Sequence, residues 1–97
     1  MHAGVIFYDF DKEKLDEVES KWKRSVLGQA RHQQGFKGVL FCIDRDTGHG
    51  FDVGFWETEE DAKRFEEAGL YGLVMEEIRD LMTTEPRRRT YSVIVKD

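Results

Sequence analysis

The chain has 97 residues, a formal net charge of −5, 39% hydrophobic and 36% charged residues, and a single proline. This is the length of one domain, 1–97, and the composition of a globular chain rather than a disordered or fibrous one. The acidic balance works against nonspecific attraction to nucleic acid or anionic membranes. The longest apolar runs, such as VLFCI at 39–43, fall far short of the roughly 20 residues a membrane helix needs. The opening MHAG carries no charged leader before an apolar core, so a cytoplasmic protein is expected.

AGVIFYD at 3–9 is β-branched and aromatic with no helical period, and reads as the first strand. Asp11 can cap the helix that follows, whose apolar stripe is Leu15, Val18, Trp22 and Val26, and which ends near residues 32–35. GFKGVLFCIDR and FDVGFWE flank the glycine-bearing turn DTGHG and predict a hairpin. Thr58 then opens an acidic helix start, close to a capping box with Asp61 in the glutamate position, and Ala62, Phe65 and Ala68 face inward. Gly69 breaks or bends this helix. Its second segment carries Tyr71, Val74, Met75, Ile78 and Leu81 at helical spacing, and TTEP stops it. RTYSVIVK closes the chain as a fourth strand.

The order βαββαβ, joined by right-handed crossovers, predicts an α+β fold: a four-stranded antiparallel sheet of ferredoxin-like topology with both helices on one face. A sheet with one wet face should alternate apolar and polar residues, yet VIFY at 5–8 and VLFCI at 39–43 are apolar throughout. The second face also calls for burial. A chain of this size exposes much of its surface, and the simplest cover is the same face of a second copy in an isologous homodimer.

Cys42 is the only cysteine and excludes an intramolecular disulfide. Its place within VLFCI predicts a small buried hydrophobe rather than a reactive thiol. The histidines His2, His32 and His49 have no metal-ligand spacing, so no metal site is expected. KWKR at 21–24 and PRRRT at 86–90 read as a solvated helix face and a polar strand entry. An RNA-recognition domain shares the element order, but TGHGFDVG at 47–54 puts Thr47 where such a strand wants a basic residue and Asp52 where it wants an aliphatic one, so no nucleic-acid partner is expected.

The span GFKGVLFCIDRDTGHGFDVGFWETEEDAKRFEEAGLYGLVMEEIRDLM resembles the antibiotic biosynthesis monooxygenase type of domain, a branch of the dimeric α/β-barrel proteins. The resemblance rests on a Gly-Phe opening of the second strand, a Trp closing the third, an acidic helix start and a bend in the helix that follows. It implies a dimer in which two sheets form a barrel, with a ligand pocket between the helices and the sheet of one subunit. The family includes haem-degrading enzymes with a catalytic Trp on the second helix, an iron-ligating His ten residues later and an Asn on the first strand. Here Phe65 and Met75 stand at the helix positions and the first strand has no Asn, so no haem cofactor is expected. It also includes cofactor-free oxygenases of aromatic compounds. For such an activity the candidate pocket residues are Tyr8, His32, Phe65, Tyr71 and Met75, with Trp56 at the end of a strand nearby. Each has a structural reading too: Tyr8 and Tyr71 as buried tyrosines with satisfied hydroxyls, His32 as a helix C-terminal cap, Met75 as core. Two functions therefore stay open: a cofactor-independent monooxygenase acting on a hydrophobic, aromatic small molecule, and a non-catalytic small-molecule-binding, regulatory or structural dimer.

Overall fold

The computed structural model describes residues 1–67 and 69–97, with Leu70 described by its backbone alone. Strands β1 (His2–Asp9), β2 (Phe36–Ile43), β3 (His49–Trp56) and β4 (Arg87–Ser92) form one sheet in the order β2-β3-β1-β4. Every neighbouring pair is antiparallel, which is the ferredoxin-like arrangement the element order predicts. β1 is central because it pairs with β3 on one side and β4 on the other. The period of two sends Ile6, Tyr8, Phe41 and Asp52 toward the helices, and Val5, Phe7, Leu40 and Phe51 away from them.

Asp11 accepts a hydrogen bond from the Glu13 amide at 3.0 Å and starts a 3₁₀ turn over Lys12–Lys14. Helix α1 (Leu15–Trp22) follows, then a π-helical stretch (Lys23–Leu27) and the short α2 (Gly28–Ala30). Val18, Trp22, Val26 and Ala30 are all buried at a steady spacing of four. An α-helix of 3.6 residues per turn drifts against such a spacing, and the wider π turn brings Val26 and Ala30 back onto the buried side. The opposite face carries the pairs Lys21–Glu17 and Lys23–Glu19, so the basic KWKR stretch is a solvated face around one buried tryptophan.

At the hairpin the Asp44 amide donates to the His49 carbonyl at 2.8 Å, closing the turn between β2 and β3. Thr58 Oγ1 accepts from the Asp61 amide at 3.1 Å, capping helix α3 (Glu59–Glu67) as its sequence predicts. Asp61 itself is buried against Gly35, which has φ +82. A Cβ at Gly35 would overlap the Asp61 carboxylate. Gly35→Ala should therefore cost at least about 1–3 kcal/mol from backbone strain alone, with the Asp61 clash added, read as a lower urea midpoint. Gly69, at φ 82 in the left-handed region, separates α3 from α4 (Leu70–Ile78), so the bend occurs where the glycine predicts it. Of the inward positions expected on α3, Ala62 is buried and Phe65 half-buried, while Ala68 lies outside the described residues.

One end of the helix-sheet layer is packed solid. Tyr8 and Phe10 stack at 4.9 Å, Trp22 stacks on Phe41 at 4.4 Å, and Val18, Ile78 and Leu81 close around them. Two expectations need correction. β4 ends at Ser92, and Ile94 and Val95 beyond it are 88% and 83% exposed, because Ser92 lies opposite His2 and the neighbouring segment offers only one further bond, from the Val93 amide to the Met1 carbonyl at 3.0 Å. Cys42 is exposed rather than buried, because its strand parity matches Leu40 and points it away from the helices.

Candidate ligand site between helices and sheet

The other end of the layer holds a cavity of about 50 Å³. Its floor is where the sheet lacks side chains: Gly4 of β1 sits directly opposite Gly54 of β3, and both face the helices. Phe65 from α3, Tyr71 and Met75 from α4, and Trp56 at the end of β3 form the walls. Trp56 is fixed by an edge contact with Phe36 at 5.8 Å and a tilted one with Phe65 at 5.4 Å. Each water needs roughly 10–15 Å³ of such volume, so the space holds a few waters, and an aromatic ring enters only by displacing the half-buried Phe65 and Tyr71 beside the bend.

Two polar features line this largely apolar space. The first is Asp52, 4% exposed, whose Oδ2 accepts from the Tyr8 hydroxyl at 2.5 Å. Burial pushes the Asp52 carboxyl up to about 7, although the Tyr8 hydroxyl and the Trp22 indole N–H both act to lower it. The Tyr8 phenol is held well above its ordinary range, by burial first and by the Asp52 charge second, so it remains a donor. Among the described residues Trp22 Nε1 is buried without a partner in hydrogen-bond geometry, so its effect on Asp52 is that of a nearby N–H that does not close to a bond. The second feature is the pair Arg88–Glu66 at 2.9 Å, with the Arg88 guanidinium 5.6 Å from the centre of the Tyr71 ring. Burial raises both the Glu66 carboxyl and the Tyr71 phenol.

Of the residues singled out from sequence, Phe65, Tyr71 and Met75 line the cavity, and Tyr8 lies behind it, bonded to Asp52. His32 does not join them: it is exposed in the turn after α2, because the helix ends at Ala30 before its side chain can reach the layer. Asp52 and Arg88 were missed. The signal for Asp52 was present in FDVGFW, where outward Phe51 and Val53 force the aspartate between them inward. A further polar cluster, His49 against Asp9 with Thr84 Oγ1 donating to Asp9 at 2.7 Å, ties the hairpin to the end of β1 away from the cavity. Among the described residues no three His, Cys, Asp or Glu side chains are placed to hold a metal ion, and no helix is long and apolar enough to cross a membrane.

No family model and no curated protein matches the chain. Solved structures do match it, over nearly its whole length. A provisionally assigned antibiotic biosynthesis monooxygenase of Bordetella bronchiseptica superposes with a TM-score of 0.82 at 10% identity, covering 97% of each chain. A protein of the same provisional assignment from Nitrosomonas europaea gives 0.80 at 14% identity, over 98% of this chain and 100% of its own. SnoaB of Streptomyces nogalater, a cofactor-independent oxygenase, gives 0.77 at 17% identity, over 98% of this chain and 94% of its own. The fold is that of the antibiotic biosynthesis monooxygenases. At these identities the likeness is one of fold, and the monooxygenase fold carries no chemistry by itself. In this chain the fold holds the cavity described above, with the Asp52 carboxylate in its wall. Met75 is packed in the core cluster with Val74 and Ile78.

Proposed function

We propose that the chain is a single-domain cytoplasmic homodimer that binds a hydroxylated aromatic small molecule in the helix-sheet cavity and oxygenates it with dioxygen and no cofactor. The observation that carries this reading is the cavity itself, walled by Trp56, Phe65, Tyr71 and Met75 and faced by the Asp52 carboxylate and the Glu66–Arg88 pair. The cofactor-independent oxygenase SnoaB, which shares the fold, supports the reaction class. The balance is simple: a phenol with a ring C–H, plus dioxygen, gives a quinone and water, with one oxygen atom in each product. Dimerisation is supported by the sheet's outer face, where Leu40, Phe51 and Tyr91 are exposed beside Phe7 and Cys42. An apolar face of this kind fits a self-complementary two-fold interface. The small volume of the cavity favours one second reading, a binding protein that holds a ligand without transforming it.

Titration with phenols from one ring to several should quench tryptophan fluorescence through Trp56, and the binders should drive oxygen consumption. Gly4→Ala is the matched control, because a Cβ there meets nothing within 4 Å and Gly4 does not need a positive φ. It should leave the fold intact and weaken binding about tenfold by filling the floor, an effect of the size expected for one added methyl in a tight site. Quenching without oxygen uptake would select the binding reading, and no quenching by any phenol would overturn both.

A further inference from the structure

Asp52 sits in a place that disfavours a carboxylate. Its neighbours across the sheet are Phe41 on β2 and Ile6 on β1, and a buried charge there is costly unless it is paired. The cation in the cavity wall, Arg88, is engaged with Glu66 instead. Among the described residues the only hydrogen bond to the Asp52 carboxylate comes from Tyr8, and a carboxylate offers about four acceptor positions. An apolar residue would serve a purely structural wall better. The carboxylate is also held from behind: Trp22 stacks on Phe41, the strand neighbour of Asp52, and brings its unpartnered indole N–H toward the same group. The side of Asp52 turned to the cavity is the one left for a ligand.

We propose that Asp52 is the proton acceptor of this cavity, taking the proton of a ligand hydroxyl, with Tyr8 and Trp22 as its positioning residues. The inference rests on the reading of the cavity as a site for hydroxylated aromatics. The ligand O–H bond breaks and its proton passes to the carboxylate, leaving a neutral carboxyl and an aryl oxide. The aryl oxide gives one electron to dioxygen, the resulting radical and superoxide join at a ring carbon, and the peroxide so formed takes the proton back from Asp52. Loss of water then leaves the quinone and the ionised carboxylate. Tyr8 keeps its own proton throughout and holds one carboxylate oxygen, so the other is aimed at the ligand. An acceptor near neutrality suits proton transfer at neutral pH. The other titratable or charged groups around Asp52 are Tyr8 on β1, Tyr71 on α4, and the Glu66–Arg88 pair bridging α3 and β4.

The test combines carbon NMR of the side-chain carboxyls with 4-nitrophenol as the probe, whose colour reports its own proton. In the wild-type chain one carboxyl should titrate near neutral pH and vanish in Asp52→Asn. Tyr8→Phe and Trp22→Phe should each move that midpoint upward, since the first removes the hydrogen-bond donor to the charged form and the second the nearby indole N–H that favours it. Bound to the wild type, 4-nitrophenol should titrate in two coupled steps, because ligand and carboxylate share the proton, and in a single step when bound to Asp52→Asn. A carboxyl midpoint in the ordinary carboxylate range, or identical probe titrations in the two proteins, would overturn the proposal while leaving the binding site standing. Failure of 4-nitrophenol to bind the folded wild type would overturn the reading of the cavity on which the proposal depends.

Discussion

The folded chain should lose stability, relative to its Asp52→Asn variant, as the pH rises from about 4 to about 7. In the unfolded chain the Asp52 carboxyl titrates near 3.8, whereas burial raises it to about 7 in the fold. Between those values the native state binds the proton more tightly, so each step up in pH removes stability, and above pH 7 the whole cost of the buried charge is present. A displacement of this size corresponds to at most about 4 kcal/mol. Asp9, Glu19 and Asp61 are shifted downward by their partners, by Thr84, Lys23 and Arg64 first in each case, and they act in the opposite direction. They are the same in both proteins, so the difference between wild type and variant isolates Asp52. Urea unfolding at pH steps, at fixed protomer concentration because assembly adds to apparent stability, should show the two curves diverging toward neutral pH. Parallel curves would mean that the carboxylate is solvated in the fold.

Neighbouring substitutions on β2 should fail in different ways. Leu40 is 54% exposed in the single chain and points away from the helices, whereas Val39 packs against the core. Leu40→Asp places its charge on the outer face, where a lone chain leaves it in water. It should halve the mass seen by light scattering while the circular dichroism of the fold persists. Val39→Asp buries an unpaired charge among Val26, Phe41 and Met75 and should unfold the protein, a loss of several kcal/mol that exceeds what most small domains can spare. A wild-type mass of one chain at micromolar concentration would remove the dimer from the proposed function. A Leu40→Asp protein that remains dimeric would place the interface elsewhere.

The features legible in the sequence were those with local causes. The stripe from Leu15 to Val26, the Thr58 cap, the DTGHG turn and the break at Gly69 each depend on residues within a turn or two, and with the crossover rule they determine the sheet order. That Phe65, Tyr71 and Met75 face inward followed from helical period, and that they line a pocket was an expectation from the resemblance. The floor did not, since Gly4 and Gly54 meet only through the register of β1 on β3, and a missing side chain leaves no pattern to read. Asp52 was passed over for a related reason. Its importance lies in facing Tyr8 and Trp22 from other elements, and strand parity had to be joined to topology before that encounter was visible. The misreading of Cys42 has the same origin, because an apolar run shows that both faces want cover without showing which one a single chain supplies. The π-helical turn after Trp22 was concealed by a spacing of four that an ordinary helix also tolerates over short lengths.

The sheet order leaves β4 as an edge, with half of its backbone donors and acceptors unpaired, and just beyond it Ile94 and Val95 stand free. Such an edge beside an apolar tail is a template onto which another chain can add in extended form. Arg87, Arg88 and Arg89 occupy that strand consecutively and all are exposed. A second copy approaching edge to edge would bring like charges together along the length of any new ladder. An arginine run on such a strand opposes fibre growth along the open rim of the sheet, as charged residues flanking an apolar strand do.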